Sequence, residues 1–215
     1  MLKKIITADK SPTLYLPELD EHYHSVNGAR QESLHIFINA GLKQLKKDKI
    51  NILEIGFGTG LNAILTFLNA KNTKQNIYYE AIEKFPLSAD IIKDLLADNF
   101  PEKEIAEEIH RTDWEKAITI SDNFILKKIK IDLTDYVPEK NFDLIYFDAF
   151  SPDKQPELWT EEIFTKLCKA TNKNGILVTY SAKGTVKQAL RNAGYFVKRL
   201  PGPAGKRHMV QAIKQ

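Results

Sequence analysis

Ile52-Leu53-Glu54-Ile55-Gly56-Phe57-Gly58-Thr59-Gly60-Leu61-Asn62 reads as a buried strand that ends in a glycine turn and opens a helix. Glycines at such a turn let the backbone reverse tightly and approach a ligand closely. A second apolar run, Phe142-Asp143-Leu144-Ile145-Tyr146, closes on Phe147-Asp148-Ala149-Phe150-Ser151-Pro152. An apolar run that ends in an acid and a turn fits a parallel strand delivering a carboxylate to its C-terminal edge. Open α/β sheets bind their ligands at that edge. Lys154-Gln155-Pro156-Glu157-Leu158-Trp159 follows as a polar and aromatic loop able to cover such a site.

Strand and helix patterns alternate on both sides of these runs. Residues 1–30 hold short strand-like pieces broken by Pro12, Pro17 and Asn27-Gly28, and predict a hairpin-like β cap. Leu34, Phe37, Ile38, Leu42 and Leu45 recur at helical spacing and predict a helix over 31–47. Strands are expected over 50–55, 76–82 (ending at Glu83), 124–131 (ending near Asp132), 142–147 and 175–181. Helices are expected from the glycine turn to 67, and over 87–98, 102–111 and 185–192, the last ended by Gly194. Another runs from a Thr160 cap to Ala170, with Glu161-Glu162 favourably placed in its first turn. Strands over 195–200 and 208–213 close the chain. The pattern predicts an α/β fold, a doubly wound, mostly parallel sheet with an antiparallel C-terminal strand pair. One domain is expected over 1–215, with the cap at 1–30 and the core at 48–215.

Composition narrows the class. A chain of 215 residues with 43% hydrophobic and 27% charged residues suits one soluble domain with a large core. No apolar run approaches the roughly 20 residues of a membrane span, and the N-terminus lacks the long apolar stretch of a signal peptide. The lone Cys168 permits no internal disulfide and fits a reducing, cytoplasmic compartment. His22, His24 and His35 lack acid or cysteine partners at ligand spacing, so no metal is expected. Charge is uneven: the net is +3, yet after Glu162 there are 11 basic residues and no acidic one. Such a tail fits either a face for a polyanion or solvated helix surfaces.

Gly56, Gly58 and Gly60 do not meet the dinucleotide spacing, and no Gly-Lys-Ser/Thr follows, which excludes a P-loop. Glu83, at the end of the next strand, is placed to accept both ribose hydroxyls of a nucleotide-like ligand. The glycine turn, Glu54 before it, Glu83 and Asp148 together resemble a class I, Rossmann-like S-adenosylmethionine-dependent methyltransferase. NAD(H), or a structural turn without ligand, remain open from the turn alone. In the methyltransferase pattern an acid at Asp132 bonds the adenine amino group; it can equally be a loop-capping aspartate.

The resemblance goes further. Asp20-Glu21-His22-Tyr23-His24-Ser25, Gln31-Glu32-Ser33, the glycine turn through Asn62, Glu83-Lys84-Phe85-Pro86-Leu87, Phe147–Pro152, Pro156-Glu157-Leu158-Trp159-Thr160 and Lys206-Arg207-His208-Met209 occur in this order. Together they resemble the MnmC/MnmD-type tRNA methyltransferases: the methyltransferase domain of a bacterial wobble-uridine enzyme and its stand-alone form. The resemblance implies N-methylation of 5-aminomethyl(-2-thio)uridine in tRNA, with S-adenosylmethionine as donor and a separate enzyme supplying the aminomethyl group. The chain ends where the FAD-dependent oxidase domain of the bifunctional form would begin, implying methyl transfer alone, without flavin. Asp148 is then expected to hold the acceptor amine. Tyr23, Gln31 and Asn62 join Glu54, Gly56, Gly58, Gly60, Glu83 and Asp132 as expected cofactor contacts. Phe150 and Trp159 either wall the flipped base or pack within their loop. Lys206 and Arg207, in a glycine-proline turn, either meet RNA phosphates or form a simple exposed turn. A spermidine-synthase-like aminopropyltransferase shares these features, but the acid-free tail argues against a polycationic substrate. A non-catalytic RNA-binding module is disfavoured by the intact glycines and acids.

Overall fold

The chain opens with three short antiparallel strands, β1 (Lys3–Ile6), β2 (Pro12–Leu16) and β3 (Glu21–His22), which form a sheet of their own. These elements come from a computed structural model, which describes residues 2–97 and 100–215. Helix α1 (Ala29–Ser33) continues into a π-wound stretch, Leu34–Asn39, and then a 3-10 turn, Leu42–Gln44. The helix expected over 31–47 therefore starts earlier and breaks at Ala40-Gly41. A Cβ at position 41 would lie 2.4 Å from the Phe37 carbonyl oxygen. Glycine lets the chain fold back there and keeps Phe37, Ile38 and Leu42 buried on both sides of the break.

The larger sheet follows. In chain order its elements are β4 (Lys49–Ile55), α2 (Leu61–Thr73), β5 (Asn76–Glu83), α3 (Ala89–Leu95), α4 (Lys103–Arg111), β6 (Ala117–Ser121), β7 (Phe124–Lys130), β8 (Phe142–Phe147), α5 (Glu161–Lys169), β9 (Thr171–Thr179), α6 (Gly184–Asn192), β10 (Tyr195–Pro201) and β11 (His208–Lys214). The strands lie in the order β10-β11-β9-β8-β4-β5-β7-β6. β4, β5, β7, β8 and β9 pair in parallel, while β11 is antiparallel to β9 and β10, and β6 to β7. The expected doubly wound sheet with an antiparallel C-terminal pair is what forms.

Alternate residues of the central strands feed two cores, as the two-residue period of a strand requires. Ile52, Tyr79, Leu144 and Tyr146 face the core beneath α2 and the π-wound segment. Leu53, Ile145, Phe147 and Leu177 face the core beneath α5 and α6. Thr160 caps α5, its hydroxyl accepting from the Ile163 N–H at 3.3 Å. Gly194, at φ +98°, follows the end of α6. Strand β6 was not expected. It is an edge strand of half-exposed residues and carries no apolar run to mark it. β9 begins four residues before its expected start. α3 is shorter than the helix expected over 87–98, and the Asp98 end of that expectation lies outside the described residues. No helix among the described residues is long and apolar enough to cross a membrane.

Chain order reverses at β4. The chain runs from β4 outward through β5 to β7, then returns to the other side of β4 with β8. Their carboxyl ends therefore diverge at a crevice, the place where such sheets hold ligands. Ile55 pairs with Phe147 in register, so the glycine turn and Asp148 leave the sheet side by side.

Candidate active site

The backbone at this crevice is built for close approach. Gly56 has φ +88°, and a Cβ there would sit 2.7 Å from the Asp148 carbonyl oxygen. The Asp148 N–H in turn donates to the Ile55 carbonyl at 3.0 Å. Gly58 has φ +49°, and a Cβ would lie 3.1 Å from the Tyr23 ring. Glu83 ties the turn to β5: one carboxylate oxygen accepts from the Gly58 N–H at 3.0 Å and the other from the Phe85 N–H at 2.8 Å. Each oxygen keeps a second lone pair for a ligand hydroxyl.

A cavity of about 860 Å³ opens over these groups, lined among others by Gly56, Gly58, Asn62, Glu83, Asp132 and Asp148. That is ample for a nucleoside-sized ligand. Tyr23, Phe150 and Lys206 also line it. Tyr23 and Phe150 meet edge to face at 5.1 Å. Burial pushes the Tyr23 hydroxyl up to about 12, with the Glu83 charge adding to it.

Asp148 lines the cavity at the end of β8. Its Oδ2 accepts from Asn62 Nδ2 at 2.8 Å. Burial pushes its carboxyl up to about 7, and the negative charge of Glu32 adds to the rise. Behind it, Glu54 is fully buried and does not line the cavity. This corrects its expected cofactor contact: the residue lies one layer below. Neither Glu54 oxygen, nor Asn62 Oδ1, nor the Tyr79 hydroxyl makes a hydrogen bond of ordinary geometry. Yet Asn62 and Tyr79 stand close enough to Glu54 to act on its ionisation. Burial holds the Glu54 carboxyl well above the usual carboxylate range. A protonated Glu54 spares this layer an unpaired buried charge, and Asn62 reaches forward from it to Asp148.

Other expected contacts move. Gly60 caps α2 with φ +73° and packs against Phe57 and His110 instead of the cavity. Gln31 is exposed and outside the cavity, because α1 turns its neighbour Glu32 inward instead. Trp159 is 6% exposed and also outside it. Its indole N–H donates to the Phe150 carbonyl at 2.9 Å, and its ring packs on Phe147, so it braces the loop and does not wall a base. Phe150 lies in the cavity wall as well as in the loop. Lys206 does not face outward to phosphate: its Nζ lies 2.5 Å from Glu32, and only Arg207 of the pair is exposed. Asp132 caps its loop, accepting from the Thr134 N–H at 2.9 Å, and also stands at the cavity wall. Lys84, 2.7 Å away, holds its carboxyl below the usual range.

Several residues at the site escaped the sequence reading. Tyr180 donates to the Ala149 carbonyl at 2.9 Å and fixes the loop after β8 from the side of β9. His110 lies within 3.0 Å of the Thr59 carbonyl, and His24 links Thr13 to Thr59. Burial pushes both imidazoles down to about 4, so each is neutral at pH 7. Neutral histidines here brace the glycine turn, and only their three-dimensional neighbours distinguish this from the ligand role weighed for His24.

Residues 88–215 match a family described as S-adenosyl-L-methionine-dependent methyltransferase. The chain belongs to this family. The methyltransferase is 31% identical, over 97% of its length, to the tRNA 5-methylaminomethyl-2-thiouridine biosynthesis bifunctional protein MnmC of Legionella pneumophila, covering 36% of that protein. The Burkholderia multivorans protein of the same name is 28% identical over 92% of the chain and is covered to 33%. The methyltransferase thus spans about a third of the length of these curated relatives. The crystal structure of MNMC2 from Aquifex aeolicus superposes with a TM-score of 0.83 at 26% identity, covering all of this chain and 70% of that one. Spermidine synthase from Thermotoga maritima, at 13% identity and a TM-score of 0.60, shares the fold alone. The donor set fits S-adenosylmethionine. Gly56 and Gly58 form a cradle that a Cβ would fill, and Glu83 offers lone pairs for a ribose.

Proposed function

We propose that this methyltransferase N-methylates the aminomethyl group of 5-aminomethyl(-2-thio)uridine at the wobble position of tRNA, giving the 5-methylaminomethyl nucleoside. The observation that carries the reading is Asp148, a carboxylate in the wall of a nucleoside-sized cavity that ionises near pH 7. The likeness to MnmC proteins and to MNMC2 supports the acceptor.

S-adenosylmethionine, when bound, supplies an electrophilic methyl group on a positively charged sulfur. Gly56, Gly58 and Glu83 would hold it, with Asp132 and Tyr23 in the same wall. Asp148 accepts a hydrogen bond from the acceptor amine, orients its lone pair and stabilises the positive charge that grows on nitrogen. Asn62 fixes the carboxylate in place. Phe150 and Tyr23 form an aromatic wall for the uracil and exclude water from the reacting centre. Arg191, Lys198, Arg199 and Arg207 are exposed on and beside the β10 edge and offer cations to RNA phosphates. Another enzyme must first install the aminomethyl group.

The test is methyl transfer from labelled S-adenosylmethionine to tRNA bearing 5-aminomethyl-2-thiouridine, followed by nucleoside analysis. The methylaminomethyl nucleoside should appear and fall on the order of 100-fold or more in Asp148→Asn. A protein that binds S-adenosylmethionine but leaves this nucleoside unchanged overturns the acceptor assignment.

A further inference from the structure

Glu32 has no part in the roles given above, yet it sits within electrostatic reach of Asp148. It is 8% exposed and lines the same cavity. Its Oε2 accepts from the Ser25 N–H at 2.9 Å. Its Oε1 accepts from Lys206 Nζ at 2.5 Å. Lys206 comes from the turn between β10 and β11, and its Nζ stands 4.2 Å from the centre of the Tyr180 ring. A primary ammonium on a flexible stem thus lies between a carboxylate and an aromatic face, at the edge of the proposed acceptor pocket. A protonated aminomethyl group entering the cavity would seek these same partners.

We propose that Lys206 is an internal stand-in for the substrate ammonium, and that Glu32 is the second carboxylate of the amine subsite. The acceptor amine takes Glu32 as Lys206 swings out. This rests on the reading of an amine acceptor. Two ammonium groups cannot share one buried carboxylate without repulsion, so Lys206 must find another anion when the substrate enters. It projects from the same turn as the exposed Arg207. The sugar-phosphate backbone of a docked RNA supplies that anion. A free amine supplies none. The pair therefore biases the enzyme toward amines carried on RNA and against free amines of similar shape.

The groups that face Asp148 are Glu32 on α1, Asn62 on α2, Glu54 on β4, Tyr79 on β5, Tyr180 just after β9 and Lys206 on its turn. Glu32 raises and Lys206 lowers the pKa of Asp148, so the two substitutions shift it in opposite directions. The experiment compares wild type, Lys206→Met and Glu32→Gln with two acceptors: tRNA bearing 5-aminomethyl-2-thiouridine, and free 5-aminomethyluridine. Calorimetric binding of S-adenosylmethionine verifies folding of each variant. Lys206→Met should raise kcat/KM for the free nucleoside roughly 10-fold or more relative to tRNA, and move the acid limb of kcat/KM to higher pH. Glu32→Gln should raise KM for both acceptors roughly 10- to 100-fold, move the acid limb to lower pH and leave cofactor affinity unchanged. If tRNA is methylated but both variants keep the wild-type acid limb and acceptor ratio, the stand-in role is overturned. If Glu32→Gln does not fold, the acceptor ratio and acid limb of Lys206→Met decide alone. Wild type that methylates neither acceptor overturns the wobble-uridine reading itself, a separate outcome.

Discussion

Asp148→Asn should stabilise the protein while cutting methyl transfer on the order of 100-fold or more. The carboxyl ionises near its ordinary 3.8 in the unfolded chain but at about 7 in the folded one, chiefly because burial disfavours the charge. Well below pH 4 it is neutral in both states and costs nothing. Between about pH 4 and 7 the unfolded chain releases a proton that the folded chain retains, so folded stability falls as pH rises. At pH 8 the ceiling on this cost is about 4 kcal/mol, at roughly 1.4 kcal/mol per tenfold difference in ionisation. Asp148 keeps some contact with cavity solvent, which reduces the expected gain to about 2 kcal/mol. An asparagine offers the same amide oxygen to Asn62, so the local hydrogen bond survives. For a chain of this length the gain corresponds to a rise in Tm of roughly 4–8 °C. Thermal unfolding of wild type and variant, without cofactor, at pH 8 and pH 5 measures it. The gain should shrink to less than half its size at pH 5. A variant less stable than wild type at pH 8, or a gain equal at both pH values, would refute the assignment of a costly buried charge to Asp148.

Three further outcomes separate the roles of neighbouring residues. Glu54→Gln should keep fold and most activity, because it replaces a buried acid held neutral by burial with a neutral amide of the same shape. Glu54→Ala should lose both, and infrared spectra should show a neutral carboxylic acid in wild type that is absent from the glutamine variant. Trp159→Ala should cost roughly 3–5 kcal/mol of stability, measured by urea unfolding, whereas Phe150→Ala should leave stability largely intact and raise KM for tRNA. Gly56→Ala combines a positive φ with a Cβ 2.7 Å from the Asp148 carbonyl oxygen. It should cost roughly 1–3 kcal/mol and weaken S-adenosylmethionine binding in calorimetry.

The fold was largely legible because its central strands are buried on both faces, and such strands announce themselves as continuous apolar runs. β4 and β8 lie side by side in the sheet, and both runs end where the crevice begins. Elements that failed to announce themselves are those whose pattern is diluted. β6 is a half-exposed edge strand. The segment after α1 keeps apolar residues at near-helical spacing, but its π winding and the break at Gly41 depend on a contact with the Phe37 carbonyl. No periodicity encodes that contact.

The site divides along a similar line. Backbone-determined features, the glycine turn and the strand-end acids Glu83 and Asp148, followed from position in the sheet. Side-chain roles followed from packing and were harder to reach. Gln31 and Glu32 are adjacent in sequence but about 100° apart around a helix, and the cavity receives Glu32. Trp159 and Phe150 share one loop, yet a single indole hydrogen bond to the Phe150 carbonyl turns one into a brace and leaves the other in the wall. Charge is the sharpest case. The tail after Glu162 carries 11 basic residues, and composition treats them alike. Lys206 instead points inward to Glu32, Lys183 pairs with Asp153, and Lys214 bonds the Thr171 carbonyl at 2.7 Å. The amount of charge measures attraction to a polyanion only for side chains left exposed. A lysine in the cavity wall acts instead on its neighbours, pairing with Glu32 and pulling the Asp148 pKa down.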